Sequence, residues 1–307
     1  MTDSTQTLPV PEAVGKLYDR LTLTALNDGT FNPNIHIGFW DTPDSTATLE
    51  EAVDRLTDVL IERLLVDDSA HVLDLGCGVG GPGIRVARRT GARVTGISIS
   101  QEQVKTANRL AAEAGLADRA EFRHADAMKL PFEDGTFDAV MALESIIHMP
   151  DREQVLTEVA RVLRPGGRLV LTDVFERAPK QAVPHPSIQK FCRNFMVTLA
   201  DADDYVAMLH RAGLRLRGLL DITEHTMQRT FTELARPSAG TERPEALGQT
   251  NLPDLFRPSD MVGVDEFGCL LVAAVQPGGD RVGLGGGADE VPYGDQAQAG
   301  VVAVLGA

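Results

Sequence analysis

The run Val72-Leu73-Asp74-Leu75-Gly76-Cys77-Gly78-Val79-Gly80-Gly81 constrains this chain more than any other stretch. It reads as an apolar strand that ends in a carboxylate, then a glycine-rich turn, then a helix. Such a turn lets a ligand touch bare backbone, because glycine has no Cβ to hold it off. Gly76-x-Gly78-x-x-Gly81 satisfies the dinucleotide fingerprint in form. Asp74 argues the other way. It stands two residues before the first glycine, where its charge repels a pyrophosphate and attracts an ammonium or a sulfonium. S-adenosylmethionine (SAM) carries both.

The surrounding pattern alternates strand and helix. Apolar runs predict strands at 71–75, 93–99, 120–124, 137–143 and 167–175, with helices at about 82–90, 101–114 and 151–163. Leu163-Arg164-Pro165-Gly166-Gly167 reads as a helix stop followed by a turn. This alternation implies a mainly parallel sheet covered on both faces, with the ligand crevice outside the strands' carboxyl ends. Two amphipathic helices precede it, Pro11 to Leu23 and Leu49 to Leu65. After Asp173 the rhythm breaks. Residues 177–197 read as a lid or cap, followed by a helix from Asp201 to Ala212, a strand from Leu214 to Ile222 and a helix from Thr223 to Leu234. A strand at 268–275 closes the sheet, and Pro277 to Ala307 has the composition of a disordered tail.

Composition narrows the function classes. A chain of 307 residues, 43% hydrophobic, accommodates one large α/β domain or one domain with a cap. A formal net charge of −15 opposes binding to a phosphate backbone, so a small-molecule substrate is expected and nucleic acid is not. No apolar run is long enough to span a bilayer and no leader pattern opens the chain, so the expected location is cytoplasmic. Cys77, Cys192 and Cys269 are too dispersed for a disulfide framework or a zinc site, and no metal is expected. The Pro11–Leu23 helix has two places to pack, its own domain or a neighbour's, which leaves a homo-oligomer open.

Three motifs in order resemble those of class I SAM-dependent methyltransferases: Leu73-Asp74-Leu75-Gly76-Cys77-Gly78-Val79-Gly80, Ala125-Asp126-Ala127-Met128-Lys129-Leu130-Pro131-Phe132 followed by Phe137-Asp138, and Leu163-Arg164-Pro165-Gly166-Gly167. The chain is similar to the small-molecule, natural-product branch, which includes rebeccamycin-type sugar O-methyltransferases and teleocidin-type prenyl C-methyltransferases. The resemblance implies an α/β, Rossmann-like sheet of seven strands, mainly parallel with the last strand antiparallel. The organisation it suggests is an N-terminal helical flap (1–66), a SAM-binding core (67–176), a cap (177–262) with one core helix and strand, the final strand (263–276) and a tail (277–307).

The resemblance also implies cofactor roles. Asp74, Gly76 and Gly78 would surround the methionine part of SAM, and Asp126 with the backbone of Ala127 would meet the adenine. Most relatives end the second strand in an acidic residue for the ribose hydroxyls. Here that position is Ser98, and Gln103 would supply the missing acceptor. The lack of a carboxylate there also weakens a reading as an NAD(P) oxidoreductase. Tyr18 and the segment His36-Ile37-Gly38-Phe39-Trp40 match a flap that closes over SAM, with the Tyr18 and Trp40 rings suited to a sulfonium.

For the acceptor, candidates cluster at two strand ends: Glu144-Ser145-Ile146-Ile147-His148-Met149 and Asp173-Val174-Phe175. Sugar O-methyltransferases carry two adjacent histidines in the first segment; here Ile147 replaces one and His148 remains. Two versions follow. In one, His148 is a general base for an oxygen or nitrogen nucleophile, with Asp173 or Glu144 in support. In the other, a prenyl or terpenoid carbon attacks inside an apolar pocket of Ile146, Ile147, Phe175, Phe191, Phe195 and Met196, and the cation formed is quenched by proton loss or ring closure. The isoleucine beside His148 tilts the expectation to carbon. A methyltransferase-fold cyclase that transfers no methyl group is a further alternative. Glu224 and His225 are polar candidates without a motif. S-adenosylhomocysteine would be the product of either transfer.

Overall fold

The computed structural model describes residues 8–177, 185–236 and 256–278. Seven strands form one sheet: β1 His71–Leu75, β2 Arg93–Ser98, β3 Ala120–His124, β4 Phe137–Ala142, β5 Leu163–Glu176, β6 Arg215–Asp221 and β7 Phe267–Val275. Among the described residues eight α-helices accompany them: α1 Pro11–Asp28, α2 Leu49–Leu64, α3 Gly81–Thr90, α4 Gln101–Glu113, α5 Arg152–Val162, α6 Pro186–Phe195, α7 Ala202–Arg211 and α8 Met227–Ala235. The strand order is β3-β2-β1-β4-β5-β7-β6. β7 runs antiparallel to both β5 and β6, and the pairings among β1 to β5 are parallel. The expected seven-stranded, mainly parallel sheet with an antiparallel last strand is therefore present.

Strand periodicity sorts the core into two layers. Val72, Val94, Phe122, Met141 and Val170 face one cluster with Leu56, Leu60 and Leu64 of α2, Val86 of α3 and Phe231 of α8. Leu73, Leu75, Ile97, Val140 and Leu171 face the other, with Val155, Leu156 and Val159 of α5 and Tyr205 and Leu209 of α7. So α2, expected within a flap, is part of the helical layer that covers the sheet. Its start is set by a capping box, in which Thr48 Oγ1 accepts from the Glu51 amide (3.2 Å) and Glu51 Oε2 accepts from the Thr48 amide (2.8 Å).

Three local readings change. α1 runs to Asp28 rather than Leu23, and Gly29 ends it with φ of 75°. Leu163–Gly167 is not a free turn but the start of β5. Phe137 pairs with Leu163 and Ala139 with Arg168, so the Pro-Gly-Gly stretch is a bulge inside the ladder. The expected helix from Thr223 is broken into a short 3-10 turn, Thr223–His225, and α8. The reading of 277–307 as a disordered tail falls almost wholly outside the described residues, as does most of the Pro- and Gly-containing segment Pro237 to Ser259.

α1 lies against α4 and across the end of β2. Asp19 Oδ1 accepts from the Ser100 hydroxyl (2.6 Å) and from the Glu102 amide (3.0 Å), so α1 caps the start of α4. Gly15 makes the approach possible, since a Cβ there would stand 2.7 Å from the Ile99 carbonyl oxygen. The result is a helix laid over the carboxyl ends of the strands.

Candidate active site

The strand order reverses between β1 and β4, and a crevice outside their carboxyl ends is where an α/β sheet binds ligands. A cavity of about 980 Å³, counting its open mouth, occupies that place. β1 contributes Asp74, the following turn Gly76 and Gly78, β2 Ser98, the segment after β3 Asp126 and Ala127, and the segment after β4 Glu144, Ser145 and His148. Tyr18 of α1 and the segment Pro33, Ile35 and His36 close the outer side.

The turn needs its glycines. Gly76 and Gly78 have φ of 76° and 53°, in the left-handed region. At Gly76 a Cβ would also collide with Ser145, whose hydroxyl donates to the Leu75 carbonyl. At Gly78 a Cβ would meet nothing within 4 Å, which leaves room for a ligand against the backbone.

Asp74 is buried, and its Oδ2 lacks a hydrogen-bond partner among the described residues. Burial pushes its carboxyl up to about 7. Glu144 sits opposite with its carboxyl also raised to about 7 by burial, against the pull of the Ile37 amide that it accepts at 3.0 Å. Its backbone has φ of 48°, unusual for a side chain with a Cβ. Two carboxyl groups held near neutrality in one cavity fit a cationic ligand, which would favour their ionised forms. They do not fit a pyrophosphate.

Ser98, Gln103, Asp126 and Ala127 line the same cavity. Ser98 Oγ donates to Gln103 Oε1 (2.8 Å) and accepts from the Ser100 amide (3.1 Å). Gln103 therefore spends part of its acceptor capacity on Ser98, and the two act as a unit. Asp126 Oδ1 accepts from the Met128 amide at 2.9 Å, an Asx turn that leaves Oδ2 for another donor.

Tyr18, expected over the cofactor, donates its hydroxyl to His148 Nε2 at 2.8 Å, ring edge to ring face. His148 Nδ1 faces the Met196 carbonyl at 3.4 Å. A carbonyl only accepts, so the proton sits on Nδ1 and Nε2 carries the lone pair. Burial lowers the His148 pKa to about 4, which keeps the ring neutral, and burial raises that of Tyr18, which keeps its hydroxyl protonated. His36, which sequence reasoning did not single out, lines the cavity too. Its Nδ1 donates to the Ile37 carbonyl (2.9 Å) and its Nε2 accepts from Thr57 Oγ1 (3.2 Å), so both nitrogens are engaged.

Several expected site residues are elsewhere. Asp173 is fully buried; its carboxylate takes Arg152 Nε (2.7 Å), Arg152 Nη2 (2.9 Å) and the Tyr205 hydroxyl (2.5 Å). It does not reach the cavity, because the ion pair fills the space around it. Trp40 is buried away from the cavity, its Nε1 donating to the Ala47 carbonyl (3.0 Å) and Arg229 lying 4.7 Å above its ring. Phe191 and Phe195 belong to an aromatic cluster with Phe231, Phe256 and Phe267. Ile146, Ile147 and Phe175 are core residues, and Met196 contributes its carbonyl to His148 rather than its side chain to the cavity. His225 stacks on Phe39 and donates to the Trp40 carbonyl (2.8 Å), while Glu224 pairs with Arg177 at the surface.

Comparison with known proteins gives the family. A methyltransferase-domain family model matches residues 73–171. The methyltransferase GfsG of Streptomyces halstedii is 40% identical over 86% of this chain and 94% of its own. The 27-O-demethylrifamycin SV methyltransferase of Amycolatopsis mediterranei is 44% identical over 72% of this chain and 80% of its own. Among solved structures, the [4+2]-cyclase SpnF superposes with a TM-score of 0.73 at 31% identity, over 89% of this chain and 98% of that one. With a glycine turn, a buried Asp74 and relatives aligned over 80% and 94% of their own length, the chain belongs to the class I SAM-dependent methyltransferases of secondary metabolism.

Proposed function

We propose that the protein methylates a hydroxyl oxygen of a secondary metabolite. The observation that carries this reading is the polar pair Tyr18–His148 on the wall of the cavity, where the aromatic side chains expected of a prenyl pocket are missing from the lining. The carbon-nucleophile expectation rested on the isoleucine beside His148 and needed a pocket of Phe191, Phe195, Ile147 and their neighbours, which are buried in the core or packed against it. The printed name of the Amycolatopsis relative, a 27-O-demethylrifamycin SV methyltransferase, supports an oxygen acceptor.

SAM supplies an electrophilic methyl group on a sulfonium; its C–S bond breaks as the acceptor's O–C bond forms, leaving neutral S-adenosylhomocysteine. Asp74, Gly76 and Gly78 would hold its methionine part, Ser98 and Gln103 its ribose, and Asp126 and Ala127 its adenine. The chain's task is alignment, water exclusion and removal of one proton. Tyr18 can accept from the acceptor hydroxyl while donating to His148 Nε2, so the proton passes along one hydrogen-bonded line. The low basicity of His148 suffices, because an oxygen that is gaining a methyl group becomes a far stronger acid than an imidazolium. Glu144 adds negative charge close to Tyr18.

The reading is tested with carbon-13 methyl-labelled SAM and 27-O-demethylrifamycin SV as probe, together with geranyl diphosphate. An O–CH₃ resonance in the product supports it. A C–CH₃ product overturns it, and so does ring closure of a substrate without conversion of SAM.

The two raised carboxyls have a consequence for binding. A cation binds their ionised forms, so SAM affinity is expected to rise with pH up to about 7 and then level off. Below that point it should weaken by about tenfold per pH unit for each group that ionises on binding. Calorimetric titration in two buffers of unlike ionisation enthalpy counts the protons released. A flat affinity from about pH 6 to pH 8 would show that neither carboxyl senses the cofactor.

A further inference from the structure

The glycine-rich turn contains one glycine that its own backbone does not require. Gly76, Gly78 and Gly80 all have positive φ, whereas Gly81 opens α3 and is not among the positive-φ residues. In a dinucleotide fingerprint the third glycine serves close helix–strand packing. Here Gly83 makes that contact: a Cβ at 83 would stand 2.7 Å from Asp74 Oδ2, 3.2 Å from Phe122 and 3.3 Å from Val94. A Cβ at Gly81 would instead run into the Pro33 carbonyl oxygen and Asn34 Oδ1, and would stand 2.9 Å from the Pro33 carbonyl carbon.

Pro33 and Asn34 begin the lip that contributes Pro33, Ile35 and His36 to the cavity. The lip is tied on its other sides. Asn34 Nδ2 donates to Asp54 Oδ1 (3.3 Å), the Ile37 amide to Glu144 Oε1 (3.0 Å) and the Gly38 amide to Thr230 Oγ1 (3.0 Å). Ile35 is 55% exposed at the mouth, an apolar side chain with no core to join. The lip lines the same cavity as Asp74 and the glycine turn.

We propose that Gly81 is a positioning residue for this lip, so that the cofactor turn sets where Ile35 and His36 meet the acceptor, with Ile35 resting on an apolar part of it. The proposal rests on the reading that this end of the cavity receives the acceptor. Without a side chain at 81 the lip sits directly on the start of α3. With one, the lip must lift, while the backbone of α3 accommodates alanine readily and as a better helix former.

The test is Gly81→Ala in the full chain, with three readouts. Hydrogen exchange at the Ile37 and Gly38 amides is expected to speed up. SAM affinity by calorimetry is expected to stay at the parent value. With 27-O-demethylrifamycin SV as acceptor, KM is expected to rise about tenfold with kcat little changed, because Tyr18 and His148 are not on the lip. Lost SAM affinity with unchanged exchange in the lip would return Gly81 to the cofactor and overturn the proposal. A protein that does not fold would assign Gly81 to the packing of α3 on the sheet and overturn it equally. The exchange and SAM measurements need no acceptor, so they decide the role of Gly81 even if the O-methylation reading fails.

Discussion

Replacing His148 with alanine is expected to lower kcat for a hydroxyl acceptor by about 10²- to 10⁴-fold, the range for losing a positioned general base. SAM affinity should change little, because His148 is not among the residues assigned to the cofactor. Tyr18→Phe separates two ways of using the pair. If the proton travels through the Tyr18 hydroxyl to Nε2, the two variants should fall by similar factors and the double variant by no more than either, as for residues that act as a unit. If Tyr18 only covers the cavity, Tyr18→Phe should raise KM and spare most of kcat. Undiminished turnover in His148→Ala would remove the base from the mechanism and revive a carbon nucleophile, which needs no deprotonation. Single-turnover measurement is the right assay, since slow product release would mask a loss at the chemical step.

How far these residues were legible from sequence depends on how local their signals are. The glycine turn, Asp74, Ser98 and Asp126 announce themselves because each stands at a strand end in a short motif, and strand ends converge on one crevice once the sheet is parallel. The Tyr18–His148 contact joins residues 130 positions apart. No local pattern carries it; it arises because Asp19 caps α4 and Gly15 lets α1 lie close to Ile99. His36 was in a segment already noted, yet nothing in that segment tells its ring from those of Phe39 and Trp40, which turn into the core. Phe191 and Phe195 mislead for the opposite reason. Aromatic side chains near a presumed lid suggest a pocket, but apolar content alone does not tell a ligand's wall from a hydrophobic core. The partners that decide it, Phe231, Phe256 and Phe267, come from elsewhere in the chain. Asp173 shows the same limit. Its place at the end of a strand suggests chemistry, and only the positions of Arg152 and Tyr205 reveal that its charge is already matched.

That match makes Asp173→Ala the most damaging single change expected for stability. The side chains of Arg152 and Asp173 are 10% and 0% exposed, and the pair is bidentate. Removing one partner leaves the other charge buried without compensation, a cost of about 3–5 kcal/mol. For a chain of this size that lowers the melting temperature by roughly 10 °C. The Tyr205 hydroxyl would lose its acceptor as well. The damage should reach the site by a traceable route. Arg152 also donates to the Thr198 carbonyl and to Thr198 Oγ1 (2.6 Å each), and the Thr198 amide donates to the Ile147 carbonyl (3.0 Å), one residue before His148. By this route Asp173 would act on His148 through the backbone, as a positioning residue. Thermal melts with and without SAM, read beside kcat, separate this from a direct catalytic role. Normal melting with lost turnover would restore Asp173 to the chemistry. Replacing the trio by apolar side chains, Arg152→Met with Asp173→Leu and Tyr205→Phe, should recover much of the lost stability, because no buried charge is then left unpaired. If the triple variant also recovers methyl transfer, the network's contribution lies in filling and fixing the space behind His148. If stability returns and kcat does not, the hydrogen bonds to Thr198 are what aim the histidine.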